Sequence, residues 1–279
     1  MSGQTILSIV NHTPDRDLAA AIAASQSANA HLSVMALGVA PGMPVADIAS
    51  AGTLATVWLE TRQAEEEALA KRVERIEQQL AAADVAGDVV GACAELGRIA
   101  SDVGARGRYA DVVILGADLR ADPVIGSTVV DAALFESGAP VLIVPRNATA
   151  SLSPKRVILA WNSTYEAARA ARAAVTVLSG VEEIRVAMVD PEASSFGSGD
   201  EPGADIAAYL ARKGFAVTVD RLPSLGLSAE AVLTRHASDV AADLLVMGAY
   251  GHSRLRQRMF GGVTRSLLED APLPILMAR

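Results

Sequence analysis

The sequence predicts an α/β protein made of two repeated, doubly wound, five-stranded parallel-sheet domains of Rossmann-like type. Three observations predict it. The segments ADVVILGA (110–117) and ADLLVMGA (242–249) match closely, half a chain apart. Several candidate strands are continuous apolar runs, the pattern of strands covered on both faces of a sheet. Strand-like and helix-like runs alternate, which implies right-handed crossovers between parallel strands.

Each half is read as strand, helix, strand, helix, strand, helix, strand, loop, helix, strand. In the first half the strands are expected near 5–10, 31–38, 86–92, 111–116 and 140–145. The opening run TILSIVN (5–11) has its counterpart in RVILAWN (156–162), and PVLIV (140–144) in PILM (274–277). Residues 63–83 place apolar side chains at helical spacing among Glu and Arg, as a solvent-facing amphipathic helix would. The corresponding second-half helix is expected near 205–213, after a Gly/Ser/acidic loop at 194–202. The small, polar stretch 147–154 reads as a linker. It separates a first domain, 1–146, from a second, 155–279.

Composition narrows the function. The chain has 279 residues, 51% of them hydrophobic, enough for two aliphatic cores. A formal charge of -8 argues against a general nucleic-acid surface, which needs clustered Lys and Arg. One cysteine, Cys93, excludes an intrachain disulfide, and four scattered histidines form no metal-ligand pattern. No run of about 18 apolar residues suits a membrane span. The start reads as a strand rather than a signal peptide, so a cytoplasmic location is expected.

The densest chemical signal is GAYGHSRLRQRMFGGVT (248–264), with Gly248-x2-Gly251-x9-Gly261 spacing. It leaves the carboxyl end of a fourth strand, where doubly wound sheets bind ligands. Gly261 and Gly262 precede an expected helix at 265–269. Backbone N–H groups without a neighbouring Cβ can approach a ligand there, and a helix start favours anions. Thr264 is placed either to cap that helix or to donate its hydroxyl to a phosphate. His252 is equally a phosphate contact or a solvated loop residue. The plain alternative is a loop with solvated arginines, Arg254, Arg256 and Arg258 among them. The spacing is neither that of a Walker A loop nor that of the dinucleotide fingerprint.

This glycine spacing, after an ADLLVMG strand and before a helix and a PIL strand, resembles the universal stress protein (UspA-like) family. The duplicated layout is similar to its tandem-domain members. The resemblance implies a strand order 3-2-1-4-5 and a bound nucleotide: ATP, ADP or AMP, with Mg2+ alongside. It also implies pairing of the two domains through their last strands, with a homodimer as a further option. On this resemblance Ala160, Trp161 and Asn162 meet the adenine side, and Val189 offers a backbone contact to the base. Met247, Gly248 and Gly251 line the ribose and phosphates, with His252 beside them. Gly261, Gly262, Val263 and Thr264 hold the phosphates. Two positions depart from the family pattern: Asn162 stands where Asp is usual, and Gly262 where Ser or Thr is usual. Trp161 suits either stacking on a base or filling the core.

The first-half loop, GADLRADPVIGST (116–128), is shorter and has Leu119 in place of the second glycine. Asp118 and Asp122 put negative charge where phosphates would sit, which predicts poor nucleotide binding there. The leading functional expectation is a nucleotide-binding stress or regulatory protein. A slow ATPase or phosphoryl or nucleotidyl transferase is the enzymatic alternative, and a ligand-free scaffold the third. No clear general base is placed to activate a nucleophile.

Overall fold

A computed structural model of the chain describes residues 3–42, 51–192, 201–249 and 271–279. It divides into two compact units, Met1–Ser137 and Gly138–Arg279.

The first unit runs β1 (Thr5–Val10), α1 (Asp15–Ala28), β2 (His31–Val39), α2 (Ala51–Ala82), β3 (Gly87–Ala94), α3 (Leu96–Gly107), β4 (Val112–Leu115), α4 (Ala117–Arg120) and α5 (Gly126–Phe135). Its strands are parallel and ordered β3-β2-β1-β4. β1, β2 and β4 are buried on both faces, as their unbroken apolar runs require. α1 buries Leu18, Ala21 and Ala24 at helical spacing, and stops at Asn29 in a left-handed conformation (φ 49°). Asp15 and Asp17 stand in its first turn, where the helix dipole favours negative charge.

The second unit runs β5 (Val141–Ile143), β6 (Arg156–Ala160), α6 (Tyr165–Val177), β7 (Glu183–Val189), α7 (Ala204–Arg212), β8 (Ala216–Leu222), α8 (Ala229–Asp239), β9 (Leu244–Gly248) and β10 (Ile275–Ala278). The strands of the second repeat lie in the order β8-β7-β6-β9-β10, all parallel. This is the 3-2-1-4-5 order of a doubly wound domain. β5 adds to the far side of β10 and runs antiparallel to it, with Leu142 opposite Leu276. α6 buries Ala167, Ala170, Ala171, Ala174 and Val177. Small side chains on that stripe let the helix lie close to the sheet. Thr164 and Ser228 cap α6 and α8 through their hydroxyls.

Two local expectations are corrected. α2 begins at Ala51, not near 63, and spans 32 residues. Its first turns bury no apolar stripe: Leu54, Val57 and Leu59 are exposed, so periodicity gives no signal there. They are tied down instead by Trp58 Nε1, which donates to Pro41 O at 2.9 Å, and by Arg62 over the Trp58 ring. Further along, the Arg72 guanidinium is buried and donates to Leu37 O, holding α2 to β2. The second correction concerns the first-half loop, which contains one turn of helix, α4. Asp17 of α1 supplies its cap, accepting Asp118 N–H at 3.1 Å and Leu119 N–H at 2.7 Å. That cap lies 101 and 102 positions away in the chain, beyond the reach of local pattern reading.

Candidate functional site

The carboxyl ends of β6, β7 and β9 form one end of the second sheet. Ala160 pairs with Ala187, Leu159 with Val246, and Val189 with Leu222. This register brings Ala160, Trp161, Asn162, Val189, Met247 and Gly248 to the same end. Met247 is buried; Ala160, Trp161, Val189 and Gly248 are half-buried; Asn162 is exposed. Trp161 N–H donates to Ala187 O at 2.9 Å, so its backbone continues the ladder one step past β6. Gly251, His252, Gly261, Gly262, Val263 and Thr264 lie outside the described residues, as does the helix expected at 265–269.

Gly248 has a packing reason to be glycine. A Cβ there would meet Ala167 N and Glu166 C at 2.7 Å, and Glu166 Cβ at 2.8 Å. The end of β9 therefore touches the first turn of α6. The resemblance gives Gly248 a place along the ribose and phosphates; what the structure describes there is a close approach to the protein's own helix. Gly116 stands in the matching place in the first unit, where a Cβ would run into the Asp17 carboxylate.

Asn162 opens a tight turn. Its Oδ1 accepts Thr164 N–H at 3.3 Å and the Thr164 hydroxyl at 2.7 Å, while Ser163 between them is left-handed (φ 58°). Thr164 Oγ1 in turn accepts Ala167 N–H. The strand end, the turn and the helix cap are thus one connected unit.

Asn11 repeats this turn after β1. Its Oδ1 accepts Thr13 N–H at 3.0 Å and the Thr13 hydroxyl at 3.1 Å. There the amide nitrogen has a partner: Asn11 Nδ2 donates to Asp122 Oδ2 at 2.9 Å. Asp122 Oδ1 accepts Val124 N–H at 2.9 Å and Ile125 N–H at 3.2 Å, just before α5. Burial pushes the Asp122 carboxyl up, but the Asn11 amide, these two N–H groups and His12 together hold it below its ordinary value. The first unit thus places its own carboxylate between the strand end and the helix start. The Asp118 carboxylate meets Arg16 at 3.3 Å. Sequence reasoning placed both acids near this end; it missed Asp17 and the bond between Asn11 and Asp122.

Two other polar clusters were not singled out from sequence. At the amino ends of β1 and β2, a groove lined by Thr5, His31, Ser33, Asp88, Arg106 and Tyr109 lies opposite the expected ligand end. Asp88 accepts from His31, Ser33 and Arg106. In the second unit Arg185 donates twice to Asp220 at 2.8 Å, and His236 Nε2 lies 2.8 Å from Asp220 Oδ2. Their polar groups bind one another, as cross-strand ties do. Among the described residues no group of three or more His, Cys, Asp or Glu is placed to hold a metal ion, and no helix is long and apolar enough to cross a membrane.

The fold and the strand-end site define a doubly wound α/β protein of the kind that takes ligands beyond the carboxyl ends of its strands. Residues 158–279 match the Universal stress protein family. A universal stress protein of Synechocystis sp. is 39% identical over 70 residues, which is 25% of this chain and 23% of that protein. The match therefore spans about a quarter of that relative's length. The second half of the chain is thus similar to the universal stress protein family. Over 99% of its length it shares a fold with a universal stress protein from Archaeoglobus fulgidus, at a TM-score of 0.66, 16% identity and 96% of that chain. A protein from Pseudomonas aeruginosa, solved as a candidate universal stress protein, aligns with 99% of this chain and 93% of its own, at a TM-score of 0.54 and 14% identity. At these identities the likeness to both is one of fold.

Proposed function

We propose that the second half binds a nucleotide, ATP, ADP or AMP, and that the chain acts as a stress or regulatory binding protein rather than an efficient enzyme. One observation carries the reading. The same asparagine turn ends the first strand of both repeats, but among the described residues only the turn of the first has a carboxylate of the chain against it. The exposed Asn162 and the half-buried Val189 and Gly248 offer a ligand polar and backbone groups at one strand end. Between Ala249 and Thr264 the sequence has three arginines and no acidic residue, which suits phosphates. Magnesium would arrive with the phosphates, since no acidic cage stands among the described residues.

On this reading the first half is a structural partner, its loop closed by Asp122. The two halves, with domains at 1–146 and 155–279, pair through their last strands; the antiparallel β5–β10 ladder supports that arrangement. A slow ATPase and a ligand-free scaffold are the competing readings.

One experiment separates them. The chain is purified under native conditions, released small molecules are identified by mass spectrometry, and ATP turnover is followed. About one nucleotide per chain without turnover supports the proposal. Multiple turnovers, abolished by Gly261→Val, favour the enzyme. No nucleotide and no thermal shift favour the scaffold. Two nucleotides per chain overturn the assignment of the first half.

A further inference from the structure

Both repeats tie the start of the first strand to the residue before the fourth in the same way. Asp111 Oδ2 accepts Thr5 N–H at 2.7 Å, and Asp111 N–H donates to Thr5 O at 2.9 Å. In the second repeat Asp243 Oδ2 accepts Arg156 N–H at 2.8 Å, and Asp243 N–H donates to Arg156 O at 2.9 Å. Thr5 therefore stands where Arg156 stands. Three positions before each aspartate comes the residue that ends the preceding helix, Arg108 after α3 and Val240 after α8.

What differs is the side chain at the strand start. Arg156 Nη1 donates to Val240 O at 2.7 Å, so the second repeat closes the carboxyl end of α8 with its own guanidinium. Such an end carries unpaired carbonyls and the negative pole of the helix dipole, which favour a cation. Thr5 is too short for this bond, and among the described residues Arg108 O accepts no hydrogen bond. In its place the first repeat has an open groove of about 250 Å3, lined by Thr5, His31, Ser33, Asp88, Arg106 and Tyr109. That is below the range of about 300–1,000 Å3 for drug-sized ligands, and suits one side chain or a small molecule.

The charges around the groove favour a cation as well. Arg106 donates to Asp88, so these two balance each other. The exposed Asp111 has no ion pair among the described residues and adds its charge to the negative end of α3. Tyr109 is 82% exposed, which leaves its ring open to a cation.

We propose that this groove takes the guanidinium group of another molecule, an arginine-like compound or an arginine side chain of a peptide, in the place that the Arg156 guanidinium takes in the second repeat. The Arg108 carbonyl and the Asp111 carboxylate supply its acceptors, and the Tyr109 ring its cover. A guanidinium suits both roles, because its planar fork donates at the edge and stacks on the face. The site lies at the amino ends of the strands, and it stands whether or not the second half binds a nucleotide.

Calorimetry of the intact chain against L-arginine, agmatine, L-citrulline and the blocked tripeptide acetyl-Gly-Arg-Gly-amide tests this. Citrulline keeps the shape of arginine and loses the charge. Arginine or agmatine is expected to bind about tenfold more tightly than citrulline, or better. Thr5→Arg supplies the guanidinium from the chain itself, and should abolish that binding and raise the melting temperature. Tyr109→Ala should weaken binding several-fold with the melt unchanged, and decides the matter if Thr5→Arg fails to fold. Binding of the tripeptide as tightly as agmatine assigns the groove to an arginine side chain. Binding of arginine and agmatine alone assigns it to a free small molecule. Three results would overturn the inference: citrulline binding as tightly as arginine, no binding of any of the four, or unchanged arginine affinity in a folded Thr5→Arg or Tyr109→Ala variant.

Discussion

Asn11 and Asp122 stand 111 positions apart in the chain and are joined by a 2.9 Å hydrogen bond from Nδ2 to Oδ2. The bond ties the end of β1 to the start of α5, because the other Asp122 oxygen holds Val124 and Ile125 N–H. Removing the carboxylate leaves a buried amide donor and two N–H groups without it. Asp122→Ala is expected to destabilise the first unit by about 1–3 kcal/mol at neutral pH. Urea denaturation of the two proteins checks this, and a difference below about 0.5 kcal/mol would refute it.

Two aspartates of the first unit are expected to titrate in opposite directions. Burial raises the Asp17 carboxyl, and its two backbone hydrogen bonds and Arg120 only partly offset that. The Asp122 carboxyl is lowered, as its hydrogen bonds and His12 outweigh burial. Asp122 therefore contributes stability that is present above the unfolded value, about 3.9, and lost as pH falls through its folded pKa. Asp17 has the opposite sign: its contribution is full below the unfolded value and lost as pH rises through its raised folded pKa. Carboxyl 13C titration by NMR measures both, and the same direction for both would contradict the account.

Gly248→Ala tests the contact of β9 with α6. The new methyl would meet backbone atoms of Glu166 and Ala167, which cannot rotate away. Overpacking of this kind costs about 1–3 kcal/mol. A fall in melting temperature without any ligand present is expected. An unchanged melt, with nucleotide affinity alone reduced, would mean that the glycine serves only the ligand.

The Arg185–Asp220–His236 cluster should behave as a stabilising tie. Burial raises the Asp220 carboxyl, but hydrogen bonds and charge from Arg185 and His236 bring it below its ordinary value. Asp220→Asn is expected to cost about 1–3 kcal/mol at neutral pH. The difference from the unaltered protein should shrink as pH falls through the lowered Asp220 pKa. Melting temperatures across pH 3–7 for both proteins, on the order of one point per unit, would reveal it.

Cys93 is expected to react slowly. Burial raises its thiol pKa, and Glu65 and Glu66 raise it further against a weaker pull from Arg62. Thiolate is the nucleophile, so alkylation near pH 7.5 should lag glutathione by about tenfold. Parity with glutathione would argue against this environment.

The strands were legible because burial on both faces writes an unbroken apolar run, as in β1, β2 and β4. The repeat was legible because the β4 and β9 segments share a near-identical sequence. The turn of helix at α4 was not, because the carboxylate that caps it sits on α1. The early start of α2 was hidden for the opposite reason: Leu54, Val57 and Leu59 face solvent and make no stripe. At the end of β6, Asn162 was singled out by the resemblance, but the turn it makes with Thr164 was not legible.

The place of β5 bears on how the chain is best dissected. A polar linker at 147–154 invites a cut there, yet β5 lies before it and is counted in the second compact unit. A fragment starting at Lys155 would leave the outer edge of β10 without its hydrogen-bonding strand. Bare edges of that kind recruit other chains and aggregate. A fragment starting at Gly138 would carry its own cover, and should be the better-behaved of the two.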